Sequence, residues 1–232
     1  MSELFKVAIV GGGLAGLSLA LHLEKLGIDW LLIEAHEEIA PQLGASIGLA
    51  PNGMVILDQL GCLEDVERRS VACKSVKIHN GGGQLLSSFP LDPIRKIHGY
   101  DLAFTERRII LEILHDHIKG KDKIFTGQKV DRIEHVDDGV EIRTREGRTF
   151  TADIVVGADG IHSPVRGLMW KSALDDNSTV FDKNIGHGQS AHSSLQTLNP
   201  FLHPPFEISL LTLWNRRLNG IWVHFWLVRP DE

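Results

Sequence analysis

FKVAIVGGGLAG, residues 5–16, is the stretch of this sequence that decides the fold. Residues 5–10 form a continuous apolar run of strand length, and apolar residues at helical spacing follow over 14–26. A second apolar run, 30–33, ends on Glu34. A strand, a glycine turn, a helix and a second strand in this order are typical of a βαβ unit. The sequence therefore predicts an α/β protein with a Rossmann-type fold and a parallel sheet.

The glycines of the turn have the spacing G-x-G-x-x-G, at Gly11, Gly13 and Gly16. Glycines at these positions let the backbone approach a pyrophosphate, and the start of the helix offers N–H groups and the positive end of its dipole. A structural tight turn is the alternative, because this motif alone is a weak signal. Its place between a strand and a helix favours dinucleotide binding.

Glu34 lies at the end of the second predicted strand. A carboxylate in this place accepts hydrogen bonds from both ribose hydroxyls of a dinucleotide and disfavours a 2′-phosphate. The alternative is a solvated loop acid. We expect Glu34 to bind the adenosine ribose.

The rest of the chain predicts further elements around this unit. They are a helix over 54–60 capped by Asn52 and ended by Gly61, two strands within 71–89 around the turn Gly81-Gly82-Gly83, a helix capped by Thr105 and running to Ile118 with the apolar stripe Ile109, Ile110, Ile113 and Leu114, an antiparallel meander near 128–136, 139–145 and 148–152, a strand over 154–156, and a helix opened by Ser163 and Pro164. From about residue 171 to 200 the sequence predicts loop. The apolar runs 208–214 and 220–228 are too short for a membrane helix and predict a strand pair.

The segment GADGIHSPVR, residues 157–166, is the second informative motif. A strand that ends in a turn and a capped helix would explain its glycines, but not its combination with G-x-G-x-x-G. The segment resembles the DG fingerprint of the group A flavoprotein monooxygenases, the aromatic-hydroxylase-like family. This resemblance implies that Asp159 and its neighbours contact both FAD and NADPH.

Two further segments are similar to that family in order and spacing. Residues 42–60, QLGASIGLAPNGMVILDQL, resemble its second flavin-contact loop, in which Gly48 would allow the backbone to approach FAD. Residues 105–114, TERRIILEIL, resemble its Arg-x-x-Leu helix. The match implies that Arg107 binds FAD as a fixed cation near the pyrophosphate, with Arg108 the weaker candidate. An arginine on a helix surface is the alternative for either.

The phrases EIAPQLGASIGLAPNG, GCLED and FTERR resemble fungal monooxygenases of terpenoid, meroterpenoid and indole-diterpene pathways. That resemblance implies an FAD-dependent enzyme that uses NADPH and O2 to epoxidise or hydroxylate a prenylated or terpenoid substrate. We expect residues 1–170 to form the FAD-binding domain, with a hairpin within 71–104 contributing to the substrate side. Residues 171–232 are expected to begin a mixed-β substrate domain that is incomplete and partly irregular.

The later Gly-Asp motif with which this family holds the flavin is not found in these 232 residues. Three explanations stay open: a shortened sequence, a degenerate relative, or a half that needs a partner chain. We expect an NADPH- and FAD-dependent monooxygenase, and an inactive FAD-binding remnant is the alternative. An NAD-dependent dehydrogenase would leave the DG segment and the 105–114 helix without a role. No catalytic side chain is assigned.

Composition narrows the function classes further. Lys and Arg number 24 against 30 Asp and Glu, and the net charge of −6 gives no basic footprint for nucleic acid. Cys62 and Cys73 are the only cysteines and lack metal-site spacing, while His115 and His117 point to different sides of a helix, so no metal is expected. The sequence starts without the pattern of an export signal, so a cytoplasmic location is expected. Membrane association stays open without support in the sequence.

Overall fold

A computed structural model describes residues 5–41, 46–79, 82, 84–175, 206–214 and 225–230. The helices are α1 (Leu14–Leu26), α2 (Pro51–Leu60), α3 (Leu63–Arg68), α4 (Asp92–His98), α5 (Arg107–His117) and α6 (Pro164–Asp175), and a short 3-10 helix spans Lys121–Lys123. The strands are β1 (Lys6–Val10), β2 (Asp29–Ile33), β3 (Ser46–Leu49), β4 (Val71–Ala72), β5 (Ser75–His79), β6 (Leu85–Pro90), β7 (Ala103–Glu106), β8 (Ile124–Phe125), β9 (Val130–Val136), β10 (Gly139–Thr144), β11 (Thr149–Ala152), β12 (Ile154–Gly157), β13 (Phe206–Trp214) and β14 (Phe225–Pro230).

The chain divides into two compact units, one from residues 1–39 and 120–232 and one from residues 40–119. The first unit contains a six-stranded sheet in the order β14-β13-β12-β1-β2-β8, in which β12, β1, β2 and β8 run parallel. β13 is antiparallel to β12 and to β14. A three-stranded antiparallel sheet, β11-β10-β9, belongs to the same unit. The predicted Rossmann-type parallel sheet and antiparallel meander are confirmed.

The parallel strands form the core of the first unit because both faces of the sheet are covered. Ala8 and Ile9 of β1 have no exposed surface, and Trp30 of β2 is 1% exposed. Leu17 and Ala20 of α1 are also fully buried. Continuous apolar runs suit strands buried on both faces. This packing fixes the end of β1, where the glycine turn begins.

The second unit combines the antiparallel sheet β3-β7-β4, the hairpin β5-β6 and helices α2 to α5. The hairpin lies where the sequence predicts two strands, although only Gly82 of its predicted glycine turn is among the described residues. The predicted apolar stripe of α5 is largely confirmed, but Leu111 is buried in place of the half-buried Ile109. The buried residues of this helix are Ile110, Leu111, Ile113 and Leu114.

The cap predicted at Asn52 is wrong, because α2 begins at Pro51 and Ala50 takes the cap position. A proline at the first helical position has no N–H left unpaired, and its ring fixes a helical φ. The predicted end of the helix is confirmed, since Gly61 adopts the left-handed conformation with φ of 79°.

The cap predicted at Thr105 is also wrong. Thr105 lies in β7, where it pairs with Ile47 of β3, and Glu106 takes the cap position of α5. The Thr105 hydroxyl donates a hydrogen bond to the carbonyl oxygen of Arg69 at 2.9 Å. Strand pairing therefore engages Thr105 and moves the start of the helix to Arg107.

The last part of the chain departs from the prediction in one respect. Helix α6 continues to Asp175, so residues 171–175 are helical instead of loop, and the remainder of that predicted loop lies outside the described residues. β13 and β14 pair where the sequence predicts a strand pair. Within the ranges that the structure describes, no helix has both the length and the apolar character that a bilayer crossing requires.

An ion-pair cluster lies at the start of β2. Lys123 Nζ is 2.7 Å from Asp29 Oδ1, and Lys6 Nζ is 3.8 Å from Asp29 Oδ2. The Lys123 ammonium also lies 5.8 Å from the centroid of the Trp30 ring. The hydrogen bond from Lys123 lowers the pKa of Asp29 below its ordinary value of 3.8, against the opposing effect of burial. The folded state therefore favours the ionised form of Asp29.

We predict that Lys123→Ala lowers the free energy of unfolding at pH 7 by about 0.2–1 kcal/mol, because it removes a partly exposed ion pair. Asp29 contributes this stability above its unfolded pKa and loses it as the pH falls through its lower folded pKa. The difference between variant and parent should therefore shrink as the pH falls below 3.8. Urea unfolding at several pH values measures it, with Lys129→Ala as the control. A difference that stays constant with pH would contradict the assignment.

Candidate functional site

The turn between β1 and α1 is anchored at both ends by backbone hydrogen bonds. The N–H of Gly11 donates to the carbonyl of Ile33 at 2.8 Å, and the N–H of Leu17 donates to the carbonyl of Gly13 at 3.0 Å. Gly13 occupies the cap position of α1 in an extended conformation, and no side chain caps this helix start. The first N–H groups of the helix are therefore not capped by a side chain, as is typical of helix starts that bind anions.

Two glycines of the turn lie where no side chain fits. A Cβ at Gly16 would lie 1.9 Å from the carbonyl oxygen of Gly11, and a Cβ at Gly11 would lie 2.3 Å from that of Ala158. Gly11 also has φ of 108°, which L side chains rarely adopt. The turn is therefore built from backbone packed directly against backbone, as a pyrophosphate cradle requires.

The DG segment lies directly beside this turn. The N–H of Ala158 donates to the carbonyl of Val10 at 2.7 Å, continuing the parallel pairing of β1 with β12. A Cβ on Gly11 would lie 2.9 Å from the Cα of Asp159. The structure thus brings together Gly11 and Asp159, two predicted site residues that are far apart in the sequence.

Glu34 lies at the end of β2 with its carboxylate directed at the same turn. Its Oε1 accepts the N–H of His36 at 2.8 Å, and its Oε2 accepts the N–H of Gly12. The main chain of Glu34 is held as well, by a bond from its N–H to the carbonyl of Phe125 and one from the N–H of Gln128 to its carbonyl, both at 2.8 Å. Glu34 is half-buried, and hydrogen bonds hold both its carboxylate and its main chain.

The carboxyl group of Asp159 is turned toward the start of α6. Its Oδ2 accepts the N–H of Val165 at 3.0 Å, while its buried Oδ1 has no hydrogen-bond partner among the described residues. Burial raises the pKa of Asp159 above its ordinary value, and hydrogen bonds with the Ser163 side chain and the N–H of Val165 oppose that shift. Ser163 caps the same helix as predicted, with its hydroxyl oxygen accepting the N–H of Arg166 at 3.0 Å. The DG turn and the helix that follows are thus one hydrogen-bonded structure.

Gly48 and Arg107, the other predicted cofactor residues, lie in the second unit. Gly48 is exposed in β3 opposite Phe104 of β7, and a Cβ on it would lie 3.1 Å from the Phe104 ring. Arg107 is the first residue of α5 and is half-buried. Arg108 forms ion pairs with Glu112 and, at 3.6 Å, with Glu106. Arg108 is therefore an ion-pair partner within α5 and its cap, and its role as the weaker cofactor candidate stays a prediction.

Gly12 is a further residue of the turn, and it contacts the predicted ribose ligand Glu34. Its N–H binds Glu34, and a Cβ on it would lie 2.9 Å from Ile39 Cδ1. Gly12 is the middle one of three consecutive glycines. The G-x-G-x-x-G motif allows any residue at that position, so the motif alone does not single Gly12 out. Within the part of the chain that the structure describes, no three His, Cys, Asp or Glu side chains are grouped to hold a metal ion.

Comparisons with known proteins agree with this geometry. The model of the FAD binding domain family matches residues 5–182. The FAD-dependent monooxygenases terM of Tolypocladium album and olcE of Penicillium canescens are each 45% identical to the chain, over 79% and 73% of it. The chain spans only 38% and 36% of the length of these two relatives.

Solved structures give the same result at lower identity. HpxO of Klebsiella pneumoniae, complexed with FAD and uric acid, has a TM-score of 0.63 and 27% identity, over 72% of this chain and 42% of that one. The p-nitrophenol 4-monooxygenase PnpA of Pseudomonas putida has a TM-score of 0.64 and 26% identity, over 71% of this chain and 44% of that one. The fold is therefore that of FAD-binding monooxygenases.

We predict opposite effects for the same substitution at two helical glycines. Gly16→Ala should lower the free energy of unfolding by about 1–3 kcal/mol, because its Cβ would overlap the Gly11 carbonyl. Gly167→Ala in α6 meets nothing within 4 Å and should raise it by up to about 1 kcal/mol through helix propensity. Thermal unfolding followed by circular dichroism compares the two. A stabilised Gly16→Ala protein would refute the close packing of the turn.

Proposed function

The chain belongs to the FAD-binding domain family of flavin-dependent monooxygenases, and we propose from this membership that it binds FAD and acts as a monooxygenase of fungal secondary metabolism. The observation that carries the proposal is the glycine turn, with Glu34 and the DG segment both packed beside it. When bound, FAD supplies the redox chemistry that activates O2. The protein contributes binding and orientation.

The first unit fits the ADP part of FAD. We propose that the backbone at Gly11, Gly13 and Gly16 receives the pyrophosphate, since the cradle excludes side chains at two of these positions. The α1 helix begins without a side-chain cap, so its first N–H groups and dipole stabilise the anion. The match over residues 5–182 supports the proposal that residues 1–170 form the FAD-binding domain.

Glu34 is proposed to bind the adenosine ribose. Each of its carboxylate oxygens accepts one backbone N–H, from Gly12 and from His36, and each keeps a second lone pair for a ribose hydroxyl. The two backbone bonds fix the orientation of the carboxylate before the ribose binds. Its negative charge would repel a phosphate at the 2′ position.

The remaining cofactor residues act in different ways in this proposal. The likeness of residues 105–114 and 42–60 to the family's cofactor segments supports Arg107 as a cation that binds FAD and Gly48 as a position where the backbone approaches FAD. Asp159 shapes the segment beside Gly11, because its carboxyl group ties the DG turn to the N–H of Val165. Only Arg107 among these three contributes a positive charge.

We further propose NADPH as the reductant, O2 as the co-substrate, and a prenylated or terpenoid compound as the substrate that is epoxidised or hydroxylated. The likeness of the segments around Gly48 and Arg107 to fungal enzymes of those pathways supports this. The β5-β6 hairpin offers apolar surface for such a substrate, since Val76, Ile78 and Phe89 are 38%, 45% and 51% exposed. The hairpin is therefore proposed to contribute to the substrate side.

Glu34→Gln and Arg107→Ala should each raise the FAD dissociation constant by about tenfold or more, because each removes a charge-assisted hydrogen bond. Flavin fluorescence titration of the purified chain measures the constant. Glu134→Gln and Arg132→Ala, which alter an exposed ion pair of β9, are the matched controls and should leave it unchanged. FAD binding that is insensitive to both site variants would refute the proposed cofactor residues.

Turnover tests the proposed activity separately. NADPH oxidation should increase when a prenylated substrate is added, and mass spectrometry should find a product that carries one additional oxygen atom. FAD binding without product would contradict the monooxygenase proposal and favour the reading of an inactive FAD-binding remnant. NADPH oxidation that yields only hydrogen peroxide would also contradict it.

A further inference from the structure

We infer that Glu112 is a positioning residue that holds Arg107 in place for the cofactor by fastening the start of α5 to the end of α3. The inference rests on the proposed function, in which Arg107 binds FAD. It adds a role for a carboxylate that is not itself expected to touch the cofactor. All of the contacts that carry it lie within the second unit.

Arg69, the residue that follows α3, is attached to the chain on both sides of Arg107. Its guanidinium Nη2 donates to Glu112 Oε2 at 2.6 Å, and its carbonyl oxygen accepts the hydroxyl of Thr105 at 2.9 Å. Thr105 precedes Arg107 in β7, and Glu112 follows it in α5. One residue from a distant part of the chain thus holds both the strand that leads into Arg107 and the helix that leaves it.

The start of α5 depends on such contacts because it has no cap of its own. Glu106 occupies the cap position but makes no side-chain cap hydrogen bond. A helix end without a cap frays more easily, and Arg107 is the first residue of that end. The position of the Arg107 backbone therefore depends on the tertiary contacts that fix the helix.

Glu112 also binds Arg108, the residue next to Arg107. Its Oε1 accepts a hydrogen bond from Arg108 one turn earlier on the same helix, while its Oε2 binds Arg69. The hydrogen bond from Arg69 is the main cause that lowers the pKa of Glu112, and the charge of Arg108 adds to it. The carboxylate is ionised and lies between two cations. Without its charge, Arg69 and Arg108 would repel each other across the α3–α5 contact.

A double-mutant cycle on FAD affinity distinguishes positioning from a general loss of structure. Glu112→Gln should raise the FAD dissociation constant about three- to tenfold in the parent chain. It should have no further effect in a chain that already carries Arg107→Ala, because the residue that it positions is gone. Arg69→Gln should behave in the same way, since it breaks the contact from the other side. Asp101→Asn, which weakens the Arg95–Asp101 pair of the same unit, is the control.

Thermal unfolding of each variant is measured in parallel, and the cycle is read at a temperature where all are folded. An effect of Glu112→Gln that is equally large with and without Arg107 would overturn the inference while leaving the proposed cofactor site intact. No effect of Glu112→Gln or Arg69→Gln on FAD affinity would overturn it as well. If Arg107→Ala alone does not weaken FAD binding, the proposed role of Arg107 fails, and the inference fails with it.

Discussion

The direct contact of backbone with backbone around Gly11 is the constraint on which the rest of the first unit depends. The carbonyl of Ala158 lies where a side chain of Gly11 would be, and the carbonyl of Gly11 lies where one of Gly16 would be. Both contacts exist only because β1 is flanked by β12 and followed at once by α1. The sheet order and the shape of the glycine turn are therefore two aspects of one packing arrangement.

The same contact explains why so much of this unit is visible in the sequence. Glycines forced by sterics leave a local pattern, and the apolar run before Gly11 predicts the buried strand that carries it. Contacts between residues that are far apart in the sequence cannot be predicted in this way. Thr105 has the chemistry of a helix cap but serves in a strand, because β3 pairs with β7 across a long separation. The link between Arg69 and Glu112 leaves no local pattern at all, since its partners are 43 residues apart.

Glu34, the proposed ribose ligand, also has a structural role. Its carboxylate is oriented by two backbone N–H groups, and its own main chain is bonded to the segment that follows β8. The residue that the sequence predicts as a ribose ligand thus connects β2, the glycine turn and the sheet edge. The sequence predicts a ribose-binding role for Glu34 from its place at the end of β2. Its contact with the glycine turn is visible only in the structure, through the hydrogen bond from the N–H of Gly12.

The sheet order also has a consequence for the order of folding. The central strand β1 pairs with β12, and Lys6 and Asp153 at their start are 147 residues apart. During synthesis one edge of β1 stays open until the chain has been made as far as Asp153, 147 residues after Lys6, and long-range parallel pairing is slow. Residues 40–119 form a continuous unit that emerges before β12. Nascent chains should therefore expose this edge of β1 to chaperones, or to wrong partners, even after residues 40–119 have been made.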